Sequence, residues 1–249
     1  MSFEILVVIG ALSGITTVLF GFGGGFVTVP VIVWADADLG TEAMRTAVAT
    51  SAVVVFTASA IATASTRREV LSSLRGSGVL LALLAVGGAV GGLAARLAPA
   101  ELGQWAFVAY LAVTLVDAVA RPGFVRPVGV AAQRRTIRAG FGLPVGAVAA
   151  FLGVGGSVLT VPLLRRAGHS MESATALANP MTLAITAPAV VPLIASVDVT
   201  SASALLLGAT PVVVVLRRYG IKIPDIVHAR AYLGLIGTVC VTMTLAALQ

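Results

Sequence analysis

Ten residues, Gly21-Phe22-Gly23-Gly24-Gly25-Phe26-Val27-Thr28-Val29-Pro30, return 132 positions later as Gly153-Val154-Gly155-Gly156-Ser157-Val158-Leu159-Thr160-Val161-Pro162. Any chemistry here belongs to the backbone. A helix that starts at a glycine break leaves its first N–H groups without intrahelical partners. They carry the positive end of the helix dipole, and glycine lets a ligand come close to them. Two such helix starts facing one another would form an anion site. Neutral hydroxyls and amides near the breaks would add hydrogen bonds. The candidate substrate-binding set is Gly23, Gly24, Gly25, Thr28, Thr50 and Ser51 from the first half of the chain. From the second half come Gly155, Gly156, Ser157, Thr160 and Asn179.

Other chemistries fit less well. Neither break is followed by Lys-Ser/Thr, which a phosphate-binding loop requires. Intramembrane catalysis lacks a nucleophile–base set, and no metal or cofactor is expected. Ionisable residues near a bilayer midplane mark proton relays and cation paths. Here Asp117, His169 and His228 all read as interfacial groups near loop ends, which disfavours cation transport. The lone Cys240 excludes an internal disulfide and reads as a small packed residue.

The elements that must carry the breaks follow from composition. Of 249 residues, 58% are hydrophobic and 10% charged, and mean hydropathy is +1.05. Soluble domains carry roughly 25% charge, so the chain has too little polar surface to face water. Its apolar runs are long and lack the alternation of a barrel strand, so the class is all-α and polytopic. The net charge of +6 comes from arginines in short loops between apolar runs, which argues against nucleic acid as a partner. The partners expected are the lipid bilayer and a small anion. The N-terminus lacks a basic leader region, because Glu4 is its only charge, and it reads as mature protein.

In order, residues 3–34 hold the first break and 35–42 form an acidic loop. Helices follow at 43–66, 76–97 and 102–119. Gly87, Gly88, Gly91 and Gly92 give the second of these a close-packing face, able to serve an internal contact or a homodimer. A basic, breaker-rich linker covers 120–138. Residues 139–164 hold the second break. Helices then run over 171–197, interrupted by Pro180, Pro188 and Pro192, over 199–216 and over 227–248. The domains are an N-terminal repeat over 1–119, the linker, and a C-terminal repeat over 139–249.

Charge selects a topology. A span needs about 20 residues, so 3–34 is either one broken span or a re-entrant hairpin. The hairpin reading places fourteen of the sixteen Lys and Arg in cytoplasmic segments, leaving Arg45 and Arg96 outside. The broken-span reading moves six of them outside, at a few kcal/mol for each arginine misplaced at depth. The hairpin reading therefore stands, with both termini extracytoplasmic. Each half then has one hairpin and three spans, so the halves have inverted topology. That is an architecture of secondary transporters.

The first break, its duplication, the basic central linker and Ala49-Thr50-Ser51 together resemble the TauE/SafE sulfite exporter family, over essentially the whole chain. The resemblance implies a cell-membrane carrier, not an enzyme, that exports small sulfur oxyanions such as sulfite, sulfonates or thiosulfate by alternating access. Two departures fall near the expected site. Ser157 stands where a third glycine is usual, and Ala178-Asn179-Pro180 stands where a Gly-Thr-Ser-like run is common. Another small organic anion, or a scaffold role without transport, is the alternative.

Overall fold

A computed structural model of the chain describes residues 2–35, 42–126, 137–220 and 223–248. Eleven α-helices occur among them. These are α1 (Phe3–Phe20), α2 (Gly25–Ala35), α3 (Glu42–Ala64), α4 (Arg68–Leu71), α5 (Gly78–Leu97) and α6 (Ala100–Ala120). The second half has α7 (Gly142–Phe151), α8 (Ser157–Arg166), α9 (Met171–Leu193), α10 (Val199–Tyr219) and α11 (Asp225–Ala247). No strand occurs among the described residues. The middle of the linker, 127–136, and the acidic loop at 36–41 lie outside them.

Seven of these helices are long and apolar enough to cross a membrane: α1, α3, α5, α6, α9, α10 and α11. Exposed valines and leucines such as Val86, Val90, Val113, Val116, Leu207 and Val241 cover their outer faces. With no charged coat, that surface suits lipid. The chain is a multi-pass membrane protein. The hairpin expectation assumed half-length arms, but α1 has 18 residues while α2, α7 and α8 have 11, 10 and 10. At 1.5 Å per residue α1 is about 27 Å long. Glu4, in its first turn, is the one charge in α1, whereas Arg138 bounds the start of the second hairpin.

Helices α3 and α9 form the centre. Both carry small or flexible buried residues: Ala47, Ala49, Ala52 and Ala58 on one, Ala174, Ala178, Met181 and Ile185 on the other. The sequence suggests that prolines interrupt α9. Instead it runs unbroken through Pro180, Pro188 and Pro192 and closes in a 3-10 turn at Ile194–Ser196. Prolines are tolerated in membrane helices because neighbours re-satisfy the freed carbonyls. Its start is capped by Ser170, whose hydroxyl accepts from the Ser173 N–H at 3.2 Å. Asp198 caps α10 by accepting from Thr200 and Ser201.

The glycines of α5 close internal seams. A Cβ at Gly87 or Gly91 would lie 2.3 Å from the Leu143 carbonyl oxygen or 2.0 Å from that of Ala147, both on α7. One at Gly88 or Gly92 would meet the Ile185 or Ala189 carbonyl of α9, at 2.1 and 2.8 Å. The same device joins α1 to α10. There Gly10 and Gly14 abut the Leu205 and Ala209 backbones, and Gly208 abuts that of Val7. Since 10 pairs with 205 and 14 with 209, α1 runs parallel to α10. Likewise Gly142 meets Leu80 and Gly146 meets Leu84, so α7 runs parallel to α5. The first arm of each hairpin thus packs on a span of the other half. Gly91→Ala is expected to destabilise the protein by about 2–3 kcal/mol, because its neighbour is backbone and cannot yield. Thermal unfolding of the purified protein measures this.

Candidate functional site

The two breaks adopt one conformation twice. Gly21, Gly23 and Gly24 have φ of 73°, 65° and 89°, and Gly153, Gly155 and Gly156 have 70°, 75° and 85°. Left-handed backbone of this kind favours glycine. The half-helices then start alike. The N–H groups of Val27 and Thr28 both bond to the Gly24 carbonyl, and those of Leu159 and Thr160 to the Gly156 carbonyl, at 2.9–3.1 Å. The N–H groups just before them, at Gly25 and Phe26 and at Ser157 and Val158, precede the helical ladder.

Both breaks reach the same place. A Cβ on Gly23 would lie 2.6 Å from Val55 Cγ1 and 3.4 Å from Thr182 Cγ2. One on Gly155 would lie 2.6 Å from Thr182 Cγ2 and 2.7 Å from Val55 Cγ1. Val55 and Thr182 sit near the middles of α3 and α9. All the predicted site residues are buried, but their hydroxyls divide into two groups.

In the first half the protein's own backbone occupies them. Thr28 Oγ1 donates to the Gly24 carbonyl at 2.9 Å, and Ser51 Oγ donates to the Gly153 carbonyl at 2.7 Å. Thr50 Oγ1 accepts from the Asp198 N–H at 3.0 Å. In the second half the side chains have unused capacity. Ser157 Oγ, Thr160 Oγ1 and Asn179 Oδ1 are buried without hydrogen-bond partners among the described residues, and so is Thr182 Oγ1. Only the amide nitrogen of Asn179 is engaged, donating to the Thr175 carbonyl at 3.0 Å. A buried polar atom without a partner costs about 1–3 kcal/mol, so such a group invites a ligand or water.

The unequal pair Gly25 and Ser157 has a packing cause on one side. A Cβ at Gly25 would lie 2.5 Å from the Gly153 carbonyl oxygen and 2.7 Å from Ser51 Oγ, inside the bond that ties the halves together. Glycine is required there by protein contacts, whereas Ser157 presents a free hydroxyl.

Several residues escaped the sequence reading. Ser13 Oγ lies 2.3 Å from a Cβ built on Gly24 and is itself buried without a partner. Its counterpart across the 132-residue repeat is Val145, which lies beside Gly156. Extending the repeat back from the glycines would have found this polar-for-apolar exchange. Tyr232 packs against Phe20, Phe22 and Phe124. Its hydroxyl donates to the carbonyls of Ser157 and Val158 at 3.3 and 3.2 Å. Val158 is the residue whose carbonyl Pro162, lacking an N–H, leaves free.

Three expectations about charge need correction. His169 and His228 are not solvated interfacial groups, being 7% and 6% exposed. His228 Nε2 is hydrogen-bonded to the Leu19 carbonyl, beside the first break. Arg165 is not a loop charge but part of α8, and it is completely buried. Nearby, Asp117 pairs with Arg166 at 2.7 Å and Arg121 at 3.2 Å, as an interfacial carboxylate would.

A cleft of about 170 Å³ leads from one end of the bundle toward the first break. Its walls come from the ends of α3 and α10, the starts of α9 and α11, and Val18 and Leu19 of α1. It reaches Thr175, whose carbonyl lies 2.7 Å from a Cβ built on Gly21. At the other end a crevice of about 20 Å³ lies between the start of α3, the ends of α5 and α9, the start of α6, and Phe151 of α7. It has room for roughly one water molecule.

No match is found among curated proteins or solved structures. The family described as Sulfite exporter TauE/SafE matches residues 6–244. This chain, with its duplicated glycine breaks and its membrane-spanning bundle, belongs to the TauE/SafE sulfite exporter family.

Proposed function

We propose that the protein is a carrier, not an enzyme, that moves a small sulfur oxyanion such as sulfite, a sulfonate or thiosulfate by alternating access. One observation carries this reading: two left-handed glycine breaks from opposite halves converge on Val55 and Thr182. Helix starts with unladdered N–H groups then lie near the buried hydroxyls of Ser157, Thr160 and Thr182, which have no partner among the described residues. Those donors are neutral, so the anion would be held by dipoles and hydroxyls. In this proposal Gly23, Gly24, Gly155 and Gly156 shape the site. Ser157 and Thr160 donate to the anion from their hydroxyls, Asn179 can do so only from the second N–H of its amide because its Oδ1 is an acceptor, and Gly25, Thr28, Thr50 and Ser51 hold the frame.

Alternating access is supported by the exchanged seams, α1 on α10 and α7 on α5, which an inverted relation between the halves would produce. The cleft and the crevice support it too. By the 132-residue repeat Leu19 of one would match Phe151 of the other, and, counted from the starts of corresponding helices, Ser173, Ile223 and His228 would match Met44, Ala98 and Gly103. Related by such an inversion, one passage stands open and its twin closed. We assign the open end to the cytoplasm, because Arg67, Arg166, Arg217 and Arg218 gather there while Glu42, Glu101 and Asp198 lie at the other end.

Flux into proteoliposomes tests the substrate class with a panel of sulfite, thiosulfate, sulfoacetate, sulfate, acetate and chloride. Saturable uptake of at least one reduced sulfur oxyanion is expected, with acetate and chloride failing to compete at equal concentration. No saturable response to any sulfur anion would remove the reading.

A further inference from the structure

The cleft that ends at the first break has a charge arrangement its twin lacks. Arg217, in the last turn of α10, lines it. Its Nε and Nη2 are buried and have no hydrogen-bond partner among the described residues. A guanidinium normally satisfies these donors with carboxylates or carbonyls. Left free, two adjacent N–H groups match two oxygens of a flat or pyramidal oxyanion. Arg67 also lines the cleft and is exposed. Glu172 is the opposing charge, attracting Arg217 from beyond ion-pair distance.

Three other polar side chains of the wall are engaged within the protein. Thr66 Oγ1 donates to the Ala62 carbonyl at 2.7 Å, Thr175 Oγ1 donates to the Glu172 carbonyl at 3.1 Å, and His228 is held by Leu19. Arg217 therefore offers a buried, unoccupied donor pair in the passage, with the exposed Arg67 as a second cation. The crevice at the opposite end is lined by apolar residues apart from Arg45, whose Nη1 is paired with Glu42 at 3.4 Å and whose Nε alone, rather than an adjacent pair, lacks a partner among the described residues.

We propose that this cleft is a loading vestibule for the oxyanion and that Arg217 is its binding residue, receiving the anion before it passes to the neutral donors at the breaks. The inference rests on the carrier reading and adds to it a second, charged site. A cation at the entrance raises the local anion concentration, and the absence of one at depth keeps the anion from being trapped.

The test uses the full-length protein in nanodiscs of zwitterionic phosphatidylcholine. Sulfite and thiosulfate are titrated by calorimetry at constant ionic strength, with chloride as the control. Arg217→Gln is expected to raise Kd about tenfold, and Arg217→Lys by less, with unfolding temperatures close to that of the wild type. Affinity of the wild type should fall with added salt, and that of Arg217→Gln should fall less steeply. Ser173→Glu is a second variant that keeps the fold. With Ser170 at the helix cap it completes a favourable Ser-x-x-Glu start to α9, while placing a negative charge on the cleft wall. It too is expected to weaken binding about tenfold.

If both Arg217→Gln and Ser173→Glu bind like the wild type, the vestibule proposal falls and the carrier reading stands. If the wild type binds neither sulfur anion, both fall. A loss of co-purified anionic lipid in Arg217→Gln with unchanged sulfite affinity would assign the arginine to a lipid headgroup and overturn the proposal.

Discussion

Gly156→Ala is expected to reduce flux by about 100-fold while leaving a folded protein. Gly156 has φ of 85°, a conformation that costs an L-residue about 1–2 kcal/mol. The new Cβ would lie 2.5 Å from Ile185 Cδ1. That neighbour is the end of a flexible side chain and can move, so the protein survives. The start of α8 moves with the backbone, however, and a displacement near 1 Å of a positioned group can reduce rate by about 100-fold. Gly24→Ala should behave alike, because its φ is 89° and its Cβ would meet Ser13 Oγ at 2.3 Å. Bulkier residues at these positions would report strain alone.

Ser157→Ala separates contact from conformation. It keeps the backbone and removes only an unpartnered hydroxyl, so a substrate contact there predicts affinity reduced about tenfold with an unchanged unfolding temperature. Proteoliposome flux and calorimetric binding read both. Wild-type flux in Gly156→Ala would show that the conformation of the break does not matter to transport.

The second large effect is on stability. Arg165→Met is expected to cost about 3 kcal/mol. Arg165 Nε and Nη2 donate to the Phe124 carbonyl at 3.0 and 2.8 Å, and Nη1 to the His169 carbonyl at 3.0 Å. Its other contacts reach both oxygens of Asp225, at 3.2 and 2.8 Å. Asp225 also accepts the Met171 N–H at 2.8 Å. One guanidinium therefore joins the end of α8, the segment after α6, and the starts of α9 and α11. Without it, buried carbonyls lose their donors. Asp225 loses a partner, though at 35% exposure water compensates part of that loss. Arg121→Ala is the control: that arginine is 73% exposed in its pair with Asp117, and its loss should cost under about 1 kcal/mol. Denaturant or thermal unfolding gives the values. A loss below about 1 kcal/mol for Arg165→Met would show that the network is not what holds these ends together.

The sequence made the breaks, six of the seven long apolar helices and the glycine face of α5 legible, because each rests on spacing or local composition, whereas the full length of α1 and its seam on α10 did not show. The repeat at 132 residues carried Gly23 to Gly155 and Gly24 to Gly156, and the backbone angles match within about 10°. The α5 glycines read correctly as a packing face. Which of the two possible partners they met did not show, since that depends on residues far along the chain. The burial of Arg165 was hidden for the same reason. In sequence it stands beside Arg166 before a Gly-His turn and looks like a loop charge. Only Phe124 and Asp225, 41 and 60 positions away, reveal why it is buried. The roles of Ser51 and Thr50 were also unreadable, because their partners, Gly153 and Asp198, lie in the other half.

The seam between α1 and α10 has a consequence for how the protein is made. Helix α1 leaves the ribosome well before α10, whose backbone it packs against through Gly10 and Gly14. Roughly 180 residues separate them, which at about 5–20 residues per second is roughly 10–40 s of synthesis. During that interval a narrow glycine face waits in the membrane without its mate, while α5 waits similarly, but more briefly, for α7. Neither half can close its own seams, so the glycine face of α1 has no mate until α10 has been made.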